Sequence, residues 1–500
     1  MTTDIDYIND NIHGRIELNN IEQKIIKTPA FQRLGRIQQL GLASLVFPSA
    51  THRRLSHSLG TLHVATKIIR ELNRKKPGTV TPEEERILRV AALLHDIGQY
   101  PLSHAIEFVY KRLSPTDLIK NRKELTTPAS TFLRKATSQT PSSFEDASDK
   151  EMSEAILRYS PELKDILDTH FSSNEFEDII SIIKGALDMP LYQQLLDSHY
   201  DCDRIDSITR DANLCGVSYG IIELDYFIEN LHCIYDPPHI AGREKNEKGR
   251  YLAIDKKKAL HTIEHFLIAR YFMYSQVIHH KHVKSFELLA KAIFFALAQD
   301  GIVFSNYVAI KEAIKTGDFL SFDDNYFHQK ISDYCKSPAA KEHIKKWIKR
   351  LSTKEPLQVI SEIKKLSKGE EKDIEYTNYK TWFFNDENLK ILCKEANVPF
   401  EEIIPNEIKV IFVPLDMDVL SMLSESMWPM IEEARKQYKL SPRLYNEGRP
   451  EHIEMLLSDP SSFVRQLLPL SLSIITIYST YTDGGLPAKI MKAFNRHSSS

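Results

Sequence analysis

The sequence predicts a mainly α-helical protein with short β-hairpins and a mostly helical C-terminal region. Three observations predict it. Segments such as IEQKIIKTPAFQRLGRIQQL, SHSLGTLHVATKIIRELNRK, PEEERILRVAALLHDI, EFEDIISIIKGAL and SFELLAKAIFFALAQ place apolar residues at three- and four-residue spacing. TPEEERI offers a helix start, with Thr81 as N-cap, Pro82 at the first helical position and acidic residues in the first turn. Stretches of β character are few and short.

In chain order, YINDNIHGRIEL reads as an N-terminal hairpin, and the residues after it, to about position 230, read as helices. GREKNEKGRYLAID reads as a second hairpin, and IKVIFVPL and LSIITIYS as later strands, none long enough to organise the fold. Residues 114–150, with TTPASTF and SQTPSSFEDASDK, carry weak apolar periodicity and read as a mobile surface insertion. They interrupt a core spanning 1–300, and residues 301–500 read as an α-rich region with short strands that serves assembly or regulation. Within that region the Lys-rich stretch AAKEHIKKWIKRLSTK, followed by SEIKKLSKGEEK, reads as a solvated helical face, with a phosphate- or partner-binding surface as the alternative.

A chain of 500 residues exceeds the usual size of one hydrophobic core, so two or three packed subdomains are expected. A net charge of -3, from 65 basic and 68 acidic side chains, disfavours a nucleic-acid polycation. Five scattered cysteines without a CxxC pair argue against a disulfide framework or zinc cluster and fit a reducing cytoplasm. The N-terminus lacks a basic region followed by an apolar run, and no apolar window reaches membrane-spanning length, so no membrane anchor is expected. LLPLSLSIITIY reads instead as a buried strand.

The chemistry concentrates in three segments. LLHDIGQYPLSHAIE places His95 and Asp96 at the end of an apolar run; alone, such a pair is more often a structural helix end than half of a metal site. Upstream, THRRLSHSLGTLHVA starts a helix at His57, and downstream SHYDCDRIDSITRDANLCGVSYG holds Asp201, Asp203, Asp206 and Asp211 among arginines. Packed as neighbouring helices, the three can converge one imidazole, a His-Asp pair and one more carboxylate. A mixed nitrogen and oxygen set with open positions suits Mg, Mn, Fe, Co or Zn held for hydrolysis.

The order H…HD…D, carried by FQRLGRIQQLGLASLVFPSATHRRLSHSLGT, ALLHDIGQYPLSH and YDCDRIDSITRDANLCGVSYG, resembles the HD-domain metal phosphohydrolases. The match is closest to their deoxynucleoside triphosphate (dNTP) triphosphohydrolases, both dGTPase-like and sterile-alpha-motif/HD type, and covers about residues 5–290. The resemblance implies an HD-domain helical core in which His57, His95, Asp96 and Asp203 bind a divalent metal. It implies that Gln39 and Leu40 lie against the deoxyribose, that Asp211 faces its 3′-hydroxyl, and that Arg54, Arg204 and Arg270 hold the triphosphate. The reaction implied is attack of water on the α-phosphorus, giving deoxynucleoside and inorganic triphosphate, with a role in antiviral dNTP depletion or pool control. Cytoplasmic homo-oligomers, as dimer, tetramer or higher, are expected because the family's effector sites form between subunits.

The chain departs from the family pattern in several places. Gln99 stands where relatives carry a second histidine, which leaves His104, with Glu107 three residues on and Asp96 at the metal, as the expected catalytic group. Lys150 and Glu151 align with a His-Glu pair, and Ser207 with a tyrosine that meets the nucleotide. Lys27 and Gly35 replace the pair that reads guanine at the effector site, so a dNTP rather than GTP is the expected activator, with Asn9, Gln32, His280 and Lys281 as the altered effector set. Two other readings are an HD-type phosphodiesterase or single-strand nuclease, and a nucleotide-sensing protein with little turnover. Near-neutral charge counts against the nuclease; Gln99 and Lys150 favour the sensor.

Overall fold

The computed structural model describes residues 6–111, 148–236, 249–368, 374–411, 443–446, 449–452 and 470–498, except for 188, 199, 305, 339 and 481. Strands β1 (Asp6–Asp10) and β2 (Gly14–Leu18) form the N-terminal hairpin, in register Ile8 to Ile16. Its β2 side buries Ile16 and Leu18 and leads into α1 (Asn20–Lys27), whose capping box joins Asn19 and Glu22.

Two long helices build the centre. Helix α2 (Arg54–Lys75) buries His57, Leu62, Ala65, Ile69 and Leu72 on its inner face. Helix α3 (Pro82–Leu94) starts as its sequence predicts, with a capping box between Thr81 and Glu84. From Ile87 to Leu94 every residue of α3 is buried, so this helix runs through the middle of the domain. Helix α4 (His104–Tyr110) follows the turn after the His-Asp pair. Helix α6 (Ser173–Lys184) packs beside α3, and α5 (Asp149–Tyr159) packs against α6.

Helix α7 (Cys202–Cys215) is fixed at both ends by local chemistry. Asp201 caps its first turn by accepting from the Arg204 amide, and Gly216 closes it in the left-handed region at φ 70°. It lies directly on α2 because Gly60 has no side chain: a Cβ there would sit 1.9 Å from Asp206 Oδ1. Strand β3 (Leu231–Asp236) pairs antiparallel with β4 (Gly249–Asp255), which runs into α8 (Lys256–Phe272), then a π-helical turn over Met273–Ile278 and α9 (Lys281–Gln299).

One apolar cluster extends from Ile16 through α9 to Phe319, Phe327, Leu351 and Leu357. It therefore continues past residue 300, through α10 (Asp324–Lys336) and α11 (Glu342–Ser352). A second, smaller cluster holds Ile360, Phe383, Leu389, Ile403, Ile475 and Phe494. It lies against an antiparallel sheet in which β9 (Leu470–Ser479) is central between β5 (Gln358–Lys368) and β6 (Ile403–Ile411). Strands β7 (Arg443–Asn446) and β8 (Arg449–His452) extend the other sheet, β7 parallel to β4.

The chain is mainly α-helical, as expected, and its β elements differ in detail. YLAID pairs with LHCIYD, and residues 242–248 of the expected hairpin lie outside the described residues. SEIKKLSK is strand β5, not a helical face; it pairs along its length with β9, so the adjacent Lys364 and Lys365 fall on opposite faces of the sheet, and only EHIKKWIKRLS contributes a helix. The β5–β9–β6 sheet does organise the second cluster. Residues 114–147 of the expected insertion lie outside the described residues. Among the described residues no helix is long and apolar enough to cross a membrane.

The buried pair between Glu22 (0 % exposed) and Arg89 (4 %) ties α1 to α3 through two hydrogen bonds of 2.7 and 2.8 Å. Glu22→Ala leaves the Arg89 guanidinium buried without its carboxylate and should cost about 3–5 kcal/mol. The expected result is a clear drop in the urea midpoint by circular dichroism; a midpoint equal to wild type would refute it.

Candidate metal centre

The first turn of α2, the C-terminal end of α3 and the first turn of α7 meet at one point. His57 Nε2 lies 2.9 Å from Asp203 Oδ1, 3.3 Å from His95 Nε2 and 3.8 Å from Asp96 Oδ2. His95 Nε2 lies 3.7 Å from Asp96 Oδ1 and 3.9 Å from Asp203 Oδ1. Atoms that share a cation at about 2.0–2.2 Å stand at most about 4.4 Å apart, so His57, His95 and Asp96 are spaced to face one ion, with Asp203 beside both imidazoles. Each imidazole is also oriented for it. His57 Nδ1 donates to Asp206 Oδ2 at 2.7 Å and His95 Nδ1 donates to the Ala92 carbonyl at 2.9 Å, which leaves both Nε2 atoms facing the gap.

The electrostatics fit the same use. Burial works against charge on Asp96, but Arg54 and the two histidines outweigh it and hold the carboxyl at about 2. Burial likewise opposes a proton on His57, yet its hydrogen bonds to Asp203 and Asp206 raise it to about 10 in the absence of a cation. Asp203 and Asp206 are both held well below the usual carboxylate range by His57, despite burial, with His13 adding to the hold on Asp206. An anionic, desolvated set of this kind gains most from a divalent ion, which would take the place of the His57 proton.

Residues 54–210, which contain His57, His95, Asp96 and Asp203, match the HD domain. The chain carries an HD domain. It is 29% identical over 324 residues to an uncharacterized protein of Methanocaldococcus jannaschii, covering 65% of this chain and 57% of that one. It is 26% identical to the uncharacterized protein YwfO of Bacillus subtilis, over 65% of this chain and 66% of that one. A shorter stretch of 101 residues is 45% identical to the deoxynucleoside triphosphate triphosphohydrolase SAMHD1 of Bos taurus, covering 20% of this chain and 17% of that one. The chain thus spans less than two thirds of the length of these curated relatives. Two crystal structures share the fold at 20% identity and a TM-score of 0.63: a hypothetical protein from Aquifex aeolicus, matched over 99% of this chain and 100% of that one, and a phosphohydrolase from Bacteroides thetaiotaomicron, matched over 95% and 100%.

The HD-domain centre opens onto a cavity of about 430 Å³. Gln39, Leu40, Arg54, Asp96, His104, Asp203, Arg204, Ser207 and Asp211, all named from the sequence, line it. Gln39 is 7 % exposed and its amide oxygen is buried without a hydrogen-bond partner. Arg54 is occupied by the protein: it donates to Asp96 Oδ2 at 2.7 Å, to Ser103 Oγ at 3.0 Å and to the Gln39 carbonyl at 3.2 Å. Arg204 is paired with Asp201 and the Ser198 carbonyl. Arg270 does not line the cavity; it lies over the Tyr274 ring, and its Nη1 is buried without a partner.

The expected effector residues sit on separate elements. Asn9 pairs with Arg15 in the hairpin, and Gln32 donates to the Ile26 carbonyl. His280 caps α9 and packs on Phe47, while the Lys281 carbonyl accepts from Tyr478.

Four groups escaped the sequence reading. Asp149, not Lys150 or Glu151, faces the cavity; Lys150 turns outward to Asp197 and Glu151 pairs with Lys184. It reaches there because Gly98 admits the start of α5: a Cβ would meet the Asp149 carbonyl at 2.2 Å. Gln99 then bridges the carboxylates, donating to Asp149 at 2.8 Å and to Asp96 at 3.1 Å. His52 donates to Asp211 at 2.7 Å, and Lys284 and Glu287, paired at 2.9 Å, line the far wall. The HR pair before Arg54 was the only signal for His52; none pointed to Asp149 or Lys284.

His104 is 71 % exposed to the cavity, and its Nδ1 donates to Glu107 Oε2 at 2.9 Å. The confined position opposes a charge on the imidazole, but Glu107 outweighs that and raises it above 6.5. Burial opposes charge on Glu107 too, and His104 with Lys111 holds it at about 2. Glu107→Gln removes the anion that favours the protonated ring, so the His104 midpoint, followed by NMR titration, should fall toward 6.5 or below. A midpoint that stays put would show that Glu107 does not set it.

Proposed function

We propose that this protein is a metal-dependent phosphohydrolase that converts dNTPs to deoxynucleoside and inorganic triphosphate. The observation that carries the reading is that His57, His95 and Asp96 are spaced for one cation beside Asp203, and that the cavity lined by Asp96 and Asp203 also holds a buried amide oxygen awaiting a donor and an exposed imidazole held by a carboxylate. Partial similarity to SAMHD1 supports the triphosphate as substrate.

His57, His95, Asp96 and Asp203 would hold a divalent ion, which would supply polarisation of a phosphoryl oxygen. Gln39 accepts a hydrogen bond from the sugar 3′-hydroxyl, beside the packed surface of Leu40, and Asp211, fixed by His52, faces the same hydroxyl. A sugar lacking that donor leaves buried acceptors unpaired, which is how such a wall selects. Arg54, Arg204 and Lys284 are the cations along the cavity that meet the phosphate oxygens.

Water attacks the α-phosphorus as the bond to O5′ breaks. Protonated His104 gives its proton to the departing O5′, and Glu107 keeps the ring oriented and charged. Gln99 does not titrate here, so the proton transfer falls to His104 alone. That same replacement, with Arg54 and Arg204 already engaged by carboxylates, favours a second reading in which the cavity binds nucleotide with little turnover.

The test is chromatography of products from each dNTP alone and in mixtures, with Mg, Mn or Co. Deoxynucleoside and triphosphate should appear with wild type and vanish with Asp96→Ala, and His104→Ala should lower the rate about 10²–10⁴-fold. The acid form of His104 is required, so the rate should fall as pH rises through its midpoint, and Glu107→Gln should bring that fall to lower pH. Nucleotide bound without any turnover would replace this reading with the second.

A further inference from the structure

The tip of the N-terminal hairpin reaches the back of the metal centre. Asp206, fully buried on α7, receives four hydrogen bonds. Its Oδ2 accepts from His57 Nδ1 at 2.7 Å and Arg210 Nε at 2.9 Å; its Oδ1 accepts from His13 Nε2 at 2.6 Å and Arg210 Nη2 at 3.0 Å. Each carboxylate oxygen thus has two donors, and the plane of the group, hence the ring of His57, is set by all of them.

The hairpin is built to deliver this contact. Asp10 Oδ1 accepts from the amides of Ile12 and His13, both at 2.9 Å, and Gly14 completes the turn at φ +70°. The His13 side chain is 3 % exposed and stacks on His63 with ring centroids 4.9 Å apart. Arg210 closes the loop by donating to both oxygens of Asp10, at 2.7 and 3.1 Å. A two-stranded hairpin is marginal alone in water, so its order depends on this docking.

We propose that His13 is a positioning residue of the metal centre, acting through Asp206 to fix the ring of His57. The inference rests on the metal-centre reading, and it makes the hairpin tip part of the ion site. Binding of an ion and docking of the hairpin then support each other, because both act on the same Asp206.

The experiment uses the full chain and Mn2+ as probe. Affinity is measured by electron paramagnetic resonance for wild type, His13→Leu, which keeps bulk without a donor, and His13→Gln, which keeps an amide donor. The Leu variant should bind Mn2+ about 10–100-fold more weakly, and the Gln variant should stay close to wild type. In wild type, Mn2+ should also slow hydrogen exchange of the hairpin amides between Ile8 and Ile16, a readout that stands if the Leu variant fails to fold. Wild-type affinity in the Leu variant, equal losses in Leu and Gln, or hairpin exchange indifferent to Mn2+ would each overturn the proposal while leaving the metal centre intact. A wild-type chain that takes up no Mn2+ would overturn the metal-centre reading and this proposal with it.

Discussion

The Asp206 carboxylate has no contact with solvent, and an ionised carboxylate in that position is tolerated only because His13, His57 and Arg210 surround it with donors. The requirement runs in both directions. The carboxylate fixes the tautomer of His57 that leaves Nε2 for a cation, and it anchors Arg210, which in turn holds Asp10. Helix α2, helix α7 and the N-terminal hairpin are therefore joined at a charge that none of them could bury alone. Gly60 completes the arrangement by letting the two helices approach closely enough for the carboxylate to reach the ring.

Part of the cavity lining, including Leu102 and Ser103, depends on a second buried carboxylate. Asp324, at the start of α10, accepts from the amide of Leu102 at 2.8 Å and from the amide of Gln38 at 2.8 Å. Leu102 and Ser103 both have positive φ, 52° and 53°, a conformation that non-glycine residues hold only when their surroundings enforce it. Asp324 supplies that enforcement, and Arg33 adds to it by donating to the carbonyls of Ile97, Gln99 and Phe322. The turn carrying His104 and the loop carrying Gln39 are thus locked together by a helix that lies beyond residue 300. The stretch with the fewest recognisable motifs takes part in shaping the cavity.

Helical periodicity and capping signals were readable because they depend on residues three and four apart. Thr81 with Glu84 and the apolar run to Leu94 specify α3 without reference to anything else. The N-terminal hairpin and the strand at Leu472 to Ser479 were readable from patterns just as local, since strand side chains alternate faces every two residues. SEIKKLSK was not, since a lysine-rich edge strand and a lysine-rich helical face look alike until the pairing with β9 is known. The strand pairing of Leu231–Asp236 with Gly249–Asp255 was hidden by the twelve residues between the two strands.

The candidate site divides along the same line. The order of three motifs named His57, His95, Asp96 and Asp203 together, and the family resemblance those motifs carry added Gln39 and His104, because chemically specific residues in a fixed order survive in the sequence. Their convergence, the occupation of Arg54 by Asp96, the exclusion of Arg270 from the cavity lining and the entry of Asp149 were decided by packing. Those outcomes turn on distances between residues tens to hundreds of positions apart, such as His13 to Asp206 or Leu102 to Asp324. By itself the sequence determined which helices form and which side chains can carry the chemistry. Only the tertiary structure decided which charges are buried together, because the desolvation of a carboxylate depends on everything that surrounds it in space.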